Sequence, residues 1–383
     1  MLRSYVRRRI VPFSWRGRAK RLFSSGVDAS IPPITPIEKI IMDGIKATGP
    51  ISFSTYMQMC LSHPTQGYYM NPRNPIFGAK GDFVTSPEIS SIFGEVTGGC
   101  VVDVALDATA ANTNNRAWAG ARDTYGGYSS RQSSAKGEFN AEALAQVVSQ
   151  FAGDHLKEVV LVETSPTLRA LQEARLSPSA AKYGCTLEWR ESVDDIPVSK
   201  EEYFTMVVAH EFFDALPFHT IEKTEHGWQE LLIALAEEPE AYPRFRYVLA
   251  PEPTAASNLL GMSSPRFKAD APVGTRLEVS PSSFRTMRDI GELLALSRGC
   301  GLIIDYGAAH AFSQSFRAFK NHEIVDVFHA PGECDLTANV DFAFLAEAVR
   351  DLDLPTHGPL TQAAFLENMG LQLRVEALVR GQD

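Results

Sequence analysis

The chain has 383 residues, 44% apolar and 10% aromatic, enough for one large core with a smaller lobe and too few for several independent domains. Its formal net charge of −10 disfavours a phosphate backbone as partner, and no stretch approaches the roughly eighteen consecutive apolar residues of a membrane span. The five cysteines, Cys60, Cys100, Cys185, Cys300 and Cys334, are scattered without Cys-x-x-Cys or metal-type His spacing, which predicts buried or idle thiols and no metal site.

Residues 1–27 differ in kind from the rest. They carry Arg3, Arg7, Arg8, Arg9, Arg16, Arg18, Lys20 and Arg21 with interspersed apolar residues and no acid before Asp28. This composition predicts a mitochondrial targeting peptide cleaved near Phe23 to Ser25, with a basic nucleic-acid arm as the rival reading. Loss of those eight cations would take the net charge from −10 to −18. An acidic mature chain favours a basic protein segment over nucleic acid as partner.

Ile37, Ile40, Ile41 and Ile45 recur at helical spacing, and Phe53, Met57, Cys60 and Leu61 do so after a cap at Ser52 or Ser54, which predicts two short helices. Residues 67–95 are rich in Gly, Pro, Asn and aromatics and read as an ordered loop laid on a surface. Leu144, Val147, Val148 and Phe151 form a further helical stripe. Val159 to Val162 reads as a buried strand, and Pro166 suits the first turn of the helix that follows. Phe204 to Ala209 and Gly301 to Ile304 are further strands, the second preceded by a helix through Phe284, Met287, Ile290 and Leu294. Repetition of strand and helix predicts an α/β fold with a mostly parallel sheet covered by helices, and residues 228–250 read as an antiparallel hairpin inserted into it.

The strand ends carry acids: Glu163, then Glu211 and Asp214 in "AHEFFDALPFH", then Asp305. In open α/β sheets ligands bind at the carboxyl ends of strands, so three acidic tips predict a site, although each acid alone could be a helix cap. A carboxylate such as Glu163 matches a ribose diol. Glu211 and Asp214, with Phe212 and Phe213 between them, suit a cationic group, while ordinary core packing is the reading for at least one of the phenylalanines. His210 and His219 have no paired metal ligands in sequence and are expected to be structural.

The stretches "GYYM", "GDFVTSPEISSIFGE", "LVETSPTLRALQ", "AHEFFDALPFH", "LIIDYG", "DLTANVDF" and "HGPLTQAAFLENMG" resemble, in order, the motifs of the MidA-like family. Those are mitochondrial S-adenosylmethionine-dependent protein arginine methyltransferases that support assembly of respiratory complex I. The resemblance covers residues 37–102 and 139–380. It implies a class I methyltransferase (Rossmann-like) fold, S-adenosylmethionine as cofactor, a matrix location and an arginine on a matrix-arm subunit of complex I as substrate. It further implies cofactor contacts at Glu163, Thr164 and His210, guanidinium contacts at Glu211 and Asp214, and substrate or lid contacts at Asp82, Glu88, Asp305 and Tyr306.

The chain departs from the family at one place. The family's first strand ends in a Glu-x-Gly-x-Gly-x-Gly turn, and this chain has none; residues 107–138 contain no Val, Ile, Leu, Met or Phe. A central strand buried on both faces cannot be built from that composition. The expectation is a disordered stretch, from either a misread gene boundary or true divergence, with methyl transfer severely impaired. The expected organisation is a targeting peptide at 1–27, an N-terminal helical and loop lobe at 28–102, the atypical segment at 103–138, and a methyltransferase-like domain at 139–383 with an insertion at about 225–275. A non-enzymatic assembly factor is the main alternative. A nicotinamide-dependent oxidoreductase would need a Gly-x-Gly-x-x-Gly after the first strand, which is absent.

Overall fold

The computed structural model describes residues 32–71, 74, 157–197, 204–238, 242–267, 271–297 and 299–380. The expected targeting peptide, the lid acids Asp82 and Glu88, the 144–151 helical stripe and the atypical 103–138 segment lie outside these residues.

Helix α1 (Pro36–Thr48) starts where Thr35 accepts from the Glu38 backbone N–H while the Glu38 side chain reaches back to the Thr35 N–H. That reciprocal box, with Pro36 in the first turn, satisfies amides that would otherwise be unpaired. Helix α2 (Phe53–Ser62) is capped by Ser52, which accepts from Thr55 N–H. The isoleucine spacing places Ile37, Ile41 and Ile45 on the inner face of α1, whereas Ile40 faces water.

Both helices pack on an antiparallel sheet of β1 (Ile51–Ser52), β5 (His219–Thr224), β6 (Gly227–Leu235), β7 (Phe245–Leu249) and β8 (Arg276–Val279). The β6–β7 pair is the hairpin expected over 228–250, and the antiparallel region runs wider, from His219 to Val279. Phe53, Phe218, Phe316 and Tyr247 cluster where these elements meet.

Parallel pairing is confined, among the described residues, to three places. Strand β2 (Glu158–Val162) pairs with β3 (Thr186–Arg190), and helix α3 (Pro166–Tyr183) connects them. Strand β4 (Met206–His210) pairs with β9 (Cys300–Ile304), which follows helix α5 (Pro281–Ser297). Strand β10 (Gly307–Ala308) pairs with β14 (Val340–Asp341). Ala209, Phe213, Ile290, Leu294, Val340 and Leu345 form the core beneath the β4 tip.

Three short strands, β11 (Arg317–Lys320), β12 (Glu323–Val325) and β13 (Asp335–Thr337), form a separate antiparallel sheet in the order β12-β11-β13. Helix α4 (Ala255–Met262) covers β6, α6 (Phe342–Ala348) packs on α5, and α7 (Gln362–Asn368) and α8 (Leu371–Arg380) follow. Every described element from Pro36 to Arg380 lies within one compact unit. No described helix is long and apolar enough to cross a membrane, and the described cysteines form no disulfide with one another.

Candidate functional site

A cavity of about 760 Å³ opens at the carboxyl ends of β2 and β4. Its lining includes Glu163, Thr164, His210, Glu211, Asp214 and Tyr306, so the structure brings together six residues singled out in the sequence. Glu191, Asp289 and Asp335 line it as well, and Arg317 is the one lysine or arginine among the described lining residues. Six carboxylates against one guanidinium make this a cation-attracting hollow.

Glu163 is fixed from two sides. Its Oε1 accepts from Ser165 N–H at 2.8 Å, and its Oε2 accepts from Gln172 Nε2 at 3.3 Å. Gln172 is held in turn by Trp189 Nε1, which donates to its Oε1 at 2.9 Å. Ser165, not Glu163, caps α3, accepting from Leu168 N–H. Burial raises the Glu163 pKa, opposed by the hydrogen bonds from Ser165, Gln172 and Thr164.

Strand β4 ends in a backbone turn that few residues accept. Glu211 has φ of +49°, and its N–H donates to Ile304 O at 2.9 Å, so the chain leaves the sheet in the left-handed region. The turn carries the Glu211 carboxylate into the cavity wall, where Tyr306 Oη donates to Oε1 at 3.2 Å. His210 Nε2 lies 3.5 Å from the same oxygen, but burial pushes the imidazole down to about 4, so this contact is not an ion pair near neutral pH. His219 is remote from this role: its Nδ1 shares a hydrogen bond with Glu230 Oε1 at 2.7 Å on the β5–β6 pair.

Asp305 stands behind the wall rather than in it. Its Oδ2 accepts from the N–H groups of Phe213 at 2.9 Å and Asp214 at 3.3 Å, and its Oδ1 accepts from Tyr306 N–H at 2.8 Å. The expected substrate contact is therefore replaced by a brace: the carboxylate orders the turn after β4 and does not line the cavity. Burial raises it to about 6 against the pull of those amides. Of the two phenylalanines, Phe213 is core and Phe212 lines the cavity.

Asp214 is the most unusual group of the site. It is 7% exposed, lines the cavity, and no described residue donates a hydrogen bond to its carboxylate. Burial first, then Asp305, Asp335 and Glu211, hold its pKa well above the ordinary carboxylate range, and Arg317 opposes them. Its backbone C=O accepts from Ala338 N–H at 3.0 Å, pinning the turn to the far end of β13.

The sequence reading missed that far side. Strand β13 places Asp335 and Thr337 two residues apart on one face, opposite Phe319 and Arg317 of β11, and all four line the cavity. Tyr69 Oη donates to Asp335 Oδ1 at 2.7 Å, while Tyr69 C=O accepts from Ser165 Oγ at 2.7 Å, so Tyr69, in the turns beyond α2, ties β13 to the β2 tip. Gly307 makes the convergence possible. A Cβ there would sit 2.0 Å from Val340 O, and that close approach lets Tyr306 C=O accept from Val340 N–H at 2.8 Å. "GYYM" and "DLTANVDF" contain Tyr69, Asp335 and Thr337, and were the available signal.

Comparison with known proteins bears on this geometry. The family model "Putative S-adenosyl-L-methionine-dependent methyltransferase" matches residues 135–360. The human protein arginine methyltransferase NDUFAF7, mitochondrial, is 32% identical over 98% of this chain and 81% of its own length. The zebrafish (Danio rerio) protein of the same name is 33% identical over 91% of this chain and 79% of its own. A Burkholderia thailandensis crystal structure, a methyltransferase-like protein bound to S-adenosyl-homocysteine, superposes with a TM-score of 0.62 at 22% identity. It covers 90% of this chain and 85% of that one. A native structure from the same organism gives 0.64 at 24% identity over 90% and 84%. These two neighbours show the methyltransferase fold.

Proposed function

Since this chain belongs to the MidA-like family of S-adenosylmethionine-dependent methyltransferases, we propose that its reaction is methylation of a protein arginine, on a matrix-arm subunit of respiratory complex I. The observation that carries the substrate class is the buried Asp214 carboxylate, unpaired among the described residues and set in an acid-lined cavity at the strand ends. The relatives' names supply the mitochondrial location and the arginine, and the basic segment 1–27 supports import into the matrix. The complex I client and its assembly follow the family resemblance.

The described residues fit the cofactor at the β2 tip. The Glu163 carboxylate is held there by its own helix N-terminus and retains lone pairs for a diol, with Thr164 beside it and His210 at the neighbouring strand end. When bound, the cofactor supplies a methyl group on positively charged sulfur. The chain's own task is the acceptor. A guanidinium is a weak nucleophile because its charge is delocalised, so acids that fix its plane and aim one nitrogen contribute through orientation and preorganised charge. Glu211, steadied by Tyr306, and Asp214 are placed for this. With the cofactor bound, its S–CH₃ bond would break as the N–CH₃ bond forms, and Asp214, ionised against the guanidinium, would take the N–H proton released.

A second reading, an assembly factor that binds the client without methylating it, is favoured by one sequence observation: residues 107–138 offer no glycine-rich turn and no strand-forming composition. Incubation of the full chain with radiolabelled S-adenosylmethionine and solubilised complex I, followed by amino-acid analysis, separates the two. Label in methylarginine supports the enzyme; client capture without label, together with no calorimetric binding of S-adenosyl-homocysteine, supports the binder.

A further inference from the structure

The acids assigned above approach a guanidinium from the β4 side only. The opposite wall is built by β11 and β13, and it carries a second feature that calls for a ligand. Thr337 is 7% exposed and its Oγ1 is buried without a hydrogen-bond partner among the described residues, although the residue lines the cavity. A buried hydroxyl left unpaired loses its hydration without replacement, so a native chain keeps one where something else completes it. Asp335, 4% exposed and two residues earlier on the same face, is oriented by the Tyr69 hydroxyl at 2.7 Å. The Ala338 N–H to Asp214 C=O bond, one residue beyond Thr337, joins this wall to the β4 turn.

We propose that Asp335 and Thr337 form the inner half of a guanidinium subsite whose outer half is Asp214 and Glu211. A planar guanidinium has five N–H donors in a fixed fork, which three carboxylates and a hydroxyl on facing walls can take together. An ammonium, with three donors on one atom, satisfies fewer of them. Arg317, cross-strand from Thr337, borders the subsite and favours the ionised form of Asp214, against the neighbouring acids and burial that disfavour it. The inference rests on the arginine reading and adds the residues that select guanidinium over other cations.

The probe is the blocked tripeptide acetyl-Gly-Arg-Gly-amide, with citrulline and lysine versions as neutral-isostere and ammonium controls. Calorimetric titration of the full chain is expected to show the arginine peptide bound more tightly than either control. Asp335→Asn is expected to weaken it about tenfold and Thr337→Val about threefold. Thr337→Val removes only an unpaired hydroxyl, so its thermal unfolding midpoint should match or exceed that of the parent and the variant remains interpretable. S-Adenosyl-homocysteine affinity should be equal in parent and variants. Arginine binding that neither substitution changes overturns the subsite and leaves the arginine reading standing. Equal binding of arginine and citrulline peptides overturns both.

Discussion

Two buried carboxylates in this chain sit in opposite circumstances. Glu38 on α1 is 1% exposed and is gripped by Arg244, 6% exposed, whose Nη1 lies 3.0 Å from one oxygen and 3.3 Å from the other; the Thr35 N–H adds a third contact. Asp214 is almost as deeply placed, yet the acids Asp305, Asp335 and Glu211 outweigh Arg317 around it, and no described residue donates a hydrogen bond to its carboxylate. Burying a charge without a partner is costly, and the first site removes that cost within the fold. The second retains it, in the wall of the cavity at the strand ends, where a cationic ligand can remove it. The same residue class thus serves structure in one corner and recognition in the other.

The contrast can be broken most severely at α1. Arg244→Leu leaves Glu38 buried and unpaired, and chemical denaturation should show a loss of about 3–5 kcal/mol; adding Glu38→Met should restore most of it. Asp214→Asn should behave in the opposite sense for stability while costing activity. Its methyl transfer to an arginine peptide is expected to fall about 100-fold or more, mostly in kcat, since charge that acts in the transition state is lost.

The stability side of that comparison depends on pH. Asp214 and Asp305 have folded-state pKa values above their unfolded ones, so the stability they contribute is fully present below about pH 4 and is lost as pH rises through the folded values, about 6 for Asp305 and higher than the ordinary range for Asp214. Asp214→Asn should therefore match the parent at pH 4 and exceed it by about 1–3 kcal/mol at pH 8; unfolding curves at the two pH values check this. A smaller effect is expected at the β2 tip. Gln172→Leu frees one Glu163 oxygen and one Trp189 N–H, and calorimetry should show S-adenosyl-homocysteine affinity reduced about threefold with arginine-peptide affinity unchanged.

Legibility of these features follows how locally each is encoded. The i, i+4 spacing of Ile37, Ile41 and Ile45, the cap at Ser52, one of two candidates, and the apolar runs at β2, β4 and β9 depend on neighbours in sequence, and they are found where expected. Acids after strands could likewise be read, and Glu163, Glu211 and Asp214 share one cavity. Asp305 was legible as a strand-end acid but not as a brace, because only the fold reveals the amides of Phe213 and Asp214, about ninety residues away in sequence, at its Oδ2. The pair Glu38–Arg244 and the wall Asp335–Thr337 depend on contacts spanning most of the chain. Strand β13 is only three residues long, too short to show a period.

The central claim is that the Asp214 carboxyl awaits a cation. Carbon-13 NMR of the aspartate side-chain carboxyls, assigned through Asp214→Asn, reads it directly in the full chain. The account predicts an Asp214 midpoint well above the ordinary aspartate range in the free protein, moving down by at least about one pH unit when acetyl-Gly-Arg-Gly-amide is added and not moving with the citrulline peptide. A midpoint near 4 in the free protein, or one indifferent to the arginine peptide, would contradict it.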